Sequence, residues 1–259
     1  MSPSRRHFFH SAFVSTTRAL APWLLLPVLA SAALPAAAWG ERITGSGRSA
    51  TELRTVADFE AIATKGSIDV VVRQGSPTQV EVQADDNLLD LLETVVEEGR
   101  RGATLQVRWK SGTSLSTRSK VLVYVTTPTL TALAGSGSGD FTVGPLQTPS
   151  LRLALSGSGD ARFEGLKAGE FSLSLSGSSD VRGNGEAGKL SISIAGSGDV
   201  DLIDLRAEEA SVSIAGSGDA KVYASRQLKV SVAGSGDVTY SGDAAVSSRV
   251  AGSGSITKR

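Results

Sequence analysis

Gly-Ser-Gly-Asp returns at a near-fixed interval through the second half of this chain, ending at Asp140, Asp160, Asp199, Asp219 and Asp237. A Gly-Ser-Ser-Asp variant ends at Asp180 and a Gly-Ser-Gly-Ser copy at Ser255, so successive steps are 20, 20, 19, 20, 18 and 18 residues. A period of this size makes the same turn at the same place in each coil, which is the mark of a solenoid. Between turns the apolar residues alternate: Leu151-Leu153-Leu155, Phe171-Leu173-Leu175, Leu190-Ile192-Ile194, Ala210-Val212-Ile214 and Leu228-Val230-Val232 stand in equivalent places. Period-two alternation is a strand signal. A coil of 18 to 20 residues has room for two or three short strands and their corners, and no coil can bury its apolar face alone. Stacking solves this, because equivalent residues of adjacent coils then lie about 4.8 Å apart. Leu153 is predicted to sit in one ladder with Leu173, Ile192, Val212 and Val230. Leucine-rich repeats lack support, since neither an Asn/Cys ladder nor a helical half is present. The predicted fold is all-β: a single-stranded parallel β-helix.

The first 38 residues do not share the pattern. Arg5, Arg6 and Arg18 are their only charges apart from the terminus, an apolar run covers residues 19–38, and Ala36-Ala37-Ala38 closes it. This is the form of a bacterial export signal. Ser4-Arg5-Arg6-His7-Phe8-Phe9 resembles the twin-arginine motif, with the general secretory route as the alternative. An uncleaved anchor is a further alternative, because the apolar run is about long enough to span a bilayer. The predicted organisation is a leader at 1–38, a flexible lead-in at 39–50 and a β-helix at 51–259, exported to the periplasm or cell surface.

Removing the leader takes both histidines, His7 and His10, and three arginines, leaving 23 basic against 26 acidic residues. Cysteine is absent throughout. A mature chain without His or Cys cannot build a Ser-His-Asp triad, a thiol nucleophile, a zinc finger or a haem ligated by those residues. Its near-neutral charge argues against nucleic acid as a partner, and cleavage would leave no membrane segment. No catalytic residue and no cofactor is predicted.

Before the regular repeat, Ile68-Asp69-Val70-Val71-Val72 reads as a strand behind Gly66-Ser67-Ile68-Asp69, a degenerate copy of the turn. Val80 and Val82 mark a second strand, and Asp85-Asp86-Asn87 heads a short helix carrying Leu88 and Leu89. Leu105, Val107 and Trp109 mark another strand, 111–119 a polar loop, and Val121, Val123 and Val125 a strand ended by Pro128. In the repeat, Gly183 removes an apolar tooth, which predicts a locally thin coil.

These features together, with Val80-Glu81-Val82, Ala84-Asp85-Asp86-Asn87-Leu88-Leu89 and the repeated Gly-Ser-Gly-Asp, resemble the autotransporter-adhesin head GIN domain family, a family of unknown function. The resemblance covers roughly residues 51–259. It implies an exported, right-handed parallel β-helix with an adhesin-like role. The chain departs from a complete autotransporter in that no β-barrel translocator follows Arg259, so self-export is not expected.

The aspartate row Asp140, Asp160, Asp180, Asp199, Asp219 and Asp237 is the sharpest candidate site. Two such charges about 5 Å apart repel by roughly 0.8 kcal/mol in water, so something offsets them. The first reading is local capping, each Asp holding its own corner through turn amides and serine hydroxyls. The second is a calcium ladder, calcium preferring six to eight oxygens, and the third is another ligand. The acid pairs Asp85-Asp86 and Glu208-Glu209 read as solvated surface rather than as the paired carboxylates of a glycosidase. Aromatic side chains are sparse, and Trp109 and Tyr240 fall at core positions. The expected function is a non-enzymatic, structural or adhesin-like envelope domain whose partner is an unknown envelope protein or glycan. Rivals are a polysaccharide-acting enzyme or carbohydrate-binding β-helix, and a calcium-dependent assembly module. Ser248 replaces an apolar tooth in the last coil, so the end is expected either to finish in polar residues or to self-associate.

Overall fold

Parallel strands normally need a crossover to return the chain; in a solenoid the rest of the coil is that crossover. The computed structural model describes residues 42–100 and 102–259, and the predicted leader lies outside them. The five central coils run as long strands, Leu146–Gly157, Ala161–Gly177, Val181–Gly196, Val200–Gly216 and Ala220–Gly234, separated from one another at the aspartate corner, and the first is parted from Phe141–Val143 by Gly144 and Pro145. Each pairs with the next in parallel. Leu153, Leu173, Ile192, Val212 and Val230 form one register ladder and all are buried. The ladder continues through Leu133, Ile62 and Leu105. Each such side chain taken fully from water is worth about 1.5–3 kcal/mol, so the stack is held by summed aliphatic burial, with a Phe163–Phe171 edge-to-face pair at 5.0 Å inside it.

The repeated turn is dictated by close backbone approach. Gly216 has φ of +140°, and a Cβ there would lie 2.1 Å from the carbonyl oxygen of Gly196 in the preceding coil. Only glycine meets both demands without strain. The second glycine of the motif is less absolute. Ser179 occupies that place in one coil, buried, with its hydroxyl 3.4 Å from the Gly157 carbonyl. The Gly183 coil, expected to be thin, is irregular in register. Register shifts fall between Phe163 and Leu166 and between Arg182 and Asn184, and Phe163 and Leu202 close in on the missing side chain.

Stack order departs from chain order at the N-terminal end. The rung of Ala61–Gly66 and Asp69–Gln74 lies between two later segments. On one side it pairs with Gly102–Trp109 and Leu122–Thr127, on the other with Ala132–Gly137 and Phe141–Val143. The chain therefore lays one rung, leaves to build the layer beneath it, and returns to continue above. Antiparallel strands close this end: Ser49–Arg54 on Gln79–Asp85, the latter on Leu122–Thr127, and Leu92–Gly99 on Gly102–Trp109. Such a cap covers donors and acceptors that a sheet edge would leave open.

Three expectations change here. Residues 42–50 are not a flexible lead-in: Arg42–Thr44 pairs with Ser114–Ser116, and Ser49–Arg54 is a cap strand. The same pairing gives strand structure to part of the expected 111–119 loop. The helix after Asp85 is a 3-10 helix, Asp86–Leu91, with no side-chain cap bond from Asp85. At the opposite end, Ala245–Gly252 keeps register with the strand below, yet all its residues are exposed. Val246 and Val250, in register with buried Leu228 and Val232, are each 40% exposed.

Candidate functional site

The aspartates form one row along a corner edge, and each is used by the coil that follows it in the stack. Oδ1 of Asp140 accepts the Asp160 amide at 2.9 Å, and Asp160 accepts Asp180 likewise. Asp180, Asp199 and Asp219 accept the amides of Asp199, Asp219 and Asp237 at 3.2, 2.8 and 2.8 Å. Asp69 opens the row by accepting the Asp140 amide, and Asp237 ends it by accepting both the amide and the hydroxyl of Ser255. Capping is thus between coils, whereas the sequence suggested that each carboxylate held its own corner. The physical reason is geometric: each corner points its amide back toward the preceding rung, where that rung's carboxylate lies. Gly66-Ser67-Ile68-Asp69 behaves as a true copy of the motif, since Gly66 registers with Gly137 and the Ser67 and Ser138 hydroxyls bond at 2.8 Å.

Cations stand beside the row. Arg182 reaches Asp180 of the row at 3.6 Å, and Lys221 reaches Asp201, which stands outside the row, at 3.5 Å. Exposed pairs of this kind contribute little individually, but they lower the local density of negative charge. One oxygen of each carboxylate is committed to an amide. Among the described residues no group of three or more Asp, Glu, His or Cys is placed to hold a metal ion.

Asp85 corrects the solvated-surface reading. Its side chain is fully buried and ties two segments to the cap. Oδ1 accepts the Gly47 amide at 3.0 Å and the Ser119 hydroxyl at 2.7 Å, while Oδ2 accepts the Arg118 amide at 2.9 Å. Burial alone would raise the carboxyl's pKa; the Arg118 amide, the Ser119 hydroxyl and amide and the Gly47 amide outweigh it and hold the group below its ordinary value. Asp86 is also lowered, chiefly by the Ser46 hydroxyl and, against some desolvation, by Arg48 at 2.9 Å. This is a structural clasp with every oxygen engaged. In the sequence the pair only heads a short helix, because the segments it holds are remote in the chain.

Another surface was not anticipated. A groove of about 980 Å³ follows a corner of the stack, and its wall carries Gln147, Lys167, Glu186, Arg206 and Tyr223. These are register partners on successive rungs. The signal was present in the repeat, for Gln147, Lys167 and Arg206 each stand seven residues after an aspartate of the row. Glu208 also lines the groove and pairs with Arg226 at 3.1 Å, whereas Glu209 only approaches Arg226 at 4.0 Å. Trp109 and Tyr240 are partly buried against the core, as expected.

The family described as "Putative auto-transporter adhesin, head GIN domain" matches residues 58–244. The chain belongs to this head GIN family. Among solved structures, it resembles a putative adhesin of Bacteroides fragilis at 24% identity and a TM-score of 0.78, covering 84% of this chain and all of that one. A putative lipid-binding protein of Parabacteroides distasonis is 28% identical, with a TM-score of 0.70 over 85% of this chain and all of the other. A putative adhesin of Parabacteroides merdae, 22% identical with a TM-score of 0.63, shares the fold over 85% of this chain and all of its own. No curated protein matches the chain. No helix among the described residues is long and apolar enough to cross a membrane.

Proposed function

We propose that this head GIN domain is an exported, non-enzymatic, adhesin-like module that presents a rigid polar surface to a glycan or protein of the cell envelope. The observation that carries the reading is the use made of the acidic side chains. The aspartates of the row are spent on amides of neighbouring coils, and Asp85 is spent on the cap. Glycoside hydrolysis needs two carboxylates facing one bond. In the groove, Glu208 is held by Arg226, which leaves Glu186 without a free acidic partner from the adjacent coil. The adhesin descriptions of the family and of its structural relatives support the same direction. The lipid-binding description of one relative fits less well, because the groove here is walled by charged and amide side chains rather than by apolar ones. The leader-like first 38 residues support export, by either the twin-arginine or the general route.

The test is retention of the purified protein on panels of envelope glycans and envelope proteins, with and without calcium, alongside assays for release of reducing ends. Retention without product supports the reading. Turnover of a retained glycan overturns its non-enzymatic part, and retention that chelation abolishes overturns it in favour of a calcium-dependent module. Fractionation of cells expressing the chain, with Arg5→Lys and Arg6→Lys combined, tests export and separates the two routes.

A further inference from the structure

We infer that the corner groove is a binding site for an uncharged, hydroxyl-rich linear polymer, a neutral glycan chain lying along the solenoid axis. The inference rests on the binding reading above and names its site and ligand class. The wall residues are one per rung at about 4.8 Å spacing, so Gln147 to Tyr223 spans about 19 Å. Gln74, bonded to the Gln147 backbone, lines one further rung, so a volume of about 980 Å³ over about 24 Å leaves a cross-section of about 40 Å², the girth of a single extended chain and not of a folded partner. A β-linked pyranose chain advances by a comparable step per sugar, so each ring meets a new wall residue.

The wall chemistry selects among linear polymers. Gln147 offers donor and acceptor, Lys167 donors, Glu186 acceptors, Arg206 a planar fork of donors, and Tyr223 a hydroxyl. A polyol presents both donors and acceptors at every unit and can satisfy this alternation. Along the wall Lys167 and Arg206 face Glu186 and Glu208, so opposite charges alternate and a strongly anionic chain gains no net attraction. On the aspartate face Arg162, Arg182 and Lys221 are occupied by carboxylates. In the groove, by contrast, the side chains of Gln147, Lys167 and Glu186 make no hydrogen bond or ion pair with any described residue. Three consecutive rungs thus turn unpartnered polar ends into one concavity. Its floor is kept low by Ala168, Ala187 and Ala207, and the Arg206 guanidinium lies 5.9 Å from the Tyr223 ring centroid, holding both side chains against the wall.

A peptide is the less suitable occupant. Extended peptides bind β-proteins by adding to a free strand edge. Here the groove runs across the strands, whose amides and carbonyls are already bonded to the rungs on either side.

The test is calorimetric titration of the purified protein with cellohexaose and hexa-N-acetylchitohexaose. Comparison probes are the matching disaccharides, a polygalacturonate hexamer and an extended twelve-residue Ser/Thr peptide. The expected result is binding of at least one neutral hexasaccharide, tighter than its disaccharide. Combining Lys167→Ala with Glu186→Ala should weaken it about tenfold or more. Arg162→Ala on the other face should leave it unchanged, and all variants should keep the parent melting temperature. Binding of the anionic or peptide probe alone, no binding of either hexasaccharide, or affinity indifferent to the groove variant would overturn the inference. Adhesion to envelope material that survives the groove variant removes the groove while sparing the proposed function. Release of shortened sugars does the reverse.

Discussion

Replacing Asp199 by asparagine and, separately, by alanine divides the hydrogen bond from the charge. Oδ1 of Asp199 accepts the Asp219 amide at 2.8 Å. Both substitutions remove the same negative charge, which two neighbouring carboxylates at about 4.8 Å each oppose by about 0.9 kcal/mol in water, less with added salt. Asparagine retains a neutral acceptor worth about 1 kcal/mol, and alanine retains none. The asparagine variant loses charge assistance and gains relief from repulsion, so its stability should stay near the parent's. The alanine variant gains the same relief but strands the Asp219 amide, and it should fall about 1 kcal/mol below the asparagine variant. In a domain of this size that is about 2–4 °C in Tm. Thermal and denaturant unfolding at low and high salt read the difference directly. Equal stability of the two variants would refute inter-coil capping. A calcium-dependent rise in the parent's Tm that Asp199→Asn abolishes would assign the row to an ion instead.

The folded-state pKa of Asp85 is depressed, so the unfolded chain binds its proton first as pH falls. The stability it contributes is present above the ordinary aspartate value of about 3.9 and is lost as pH drops through the folded value. Tm measured between pH 7 and pH 2 should therefore decline in acid, and Asp85→Asn should flatten the decline while lowering Tm at neutral pH. Leu173→Ala should cost about 2–5 kcal/mol in denaturant unfolding, whereas Ser174→Ala, one residue on and facing out, should stay within about 0.5 kcal/mol. Comparable losses at the two positions would contradict the inward-outward assignment. Gly216→Ala should destabilise more than Gly112→Ala. Both glycines have positive φ, which costs alanine about 1–2 kcal/mol, but only the Gly216 Cβ would strike a neighbouring carbonyl while nothing lies within 4 Å of a Cβ at Gly112.

The coils from 132 onward were legible because their information is local and repeated. The turn glycines, the alternating teeth and the period all fix the same register, so Leu153 and Leu173 could be placed together from the sequence. The N-terminal end was only partly legible. Its strands could be read one by one from Val70, Val80, Val107 and Val123, but their neighbours could not. Nothing local says that Leu105 lies beneath Ile62 and Leu133 above it, because that order depends on the chain doubling back. The same limit hid Asp85. A carboxylate before a short helix looks like a cap, and only the approach of Gly47 and Arg118 from distant segments turns it into a buried clasp. The aspartate row was recognised as a row, but which amide each oxygen takes depends on the direction in which the corner opens. The groove is not legible in the sequence, because Gln147, Lys167 and Glu186 share a position without sharing a residue type.

The absence of cysteine from the chain allows the central claim, coils stacked in a fixed register, to be measured by engineered crosslinking. Ser193 and Ser213 are register partners on adjacent rungs and both face outward, a separation of about 4.8 Å that lies within disulfide reach. Ser174 and Ser213 share the same column two rungs apart, at about 9.6 Å, which is beyond it. Ser193→Cys with Ser213→Cys should oxidise to an intramolecular disulfide with retained Tm, and Ser174→Cys with Ser213→Cys should remain as free thiols. Ready closure of the distant pair, or failure of the adjacent pair to close, would contradict the stack.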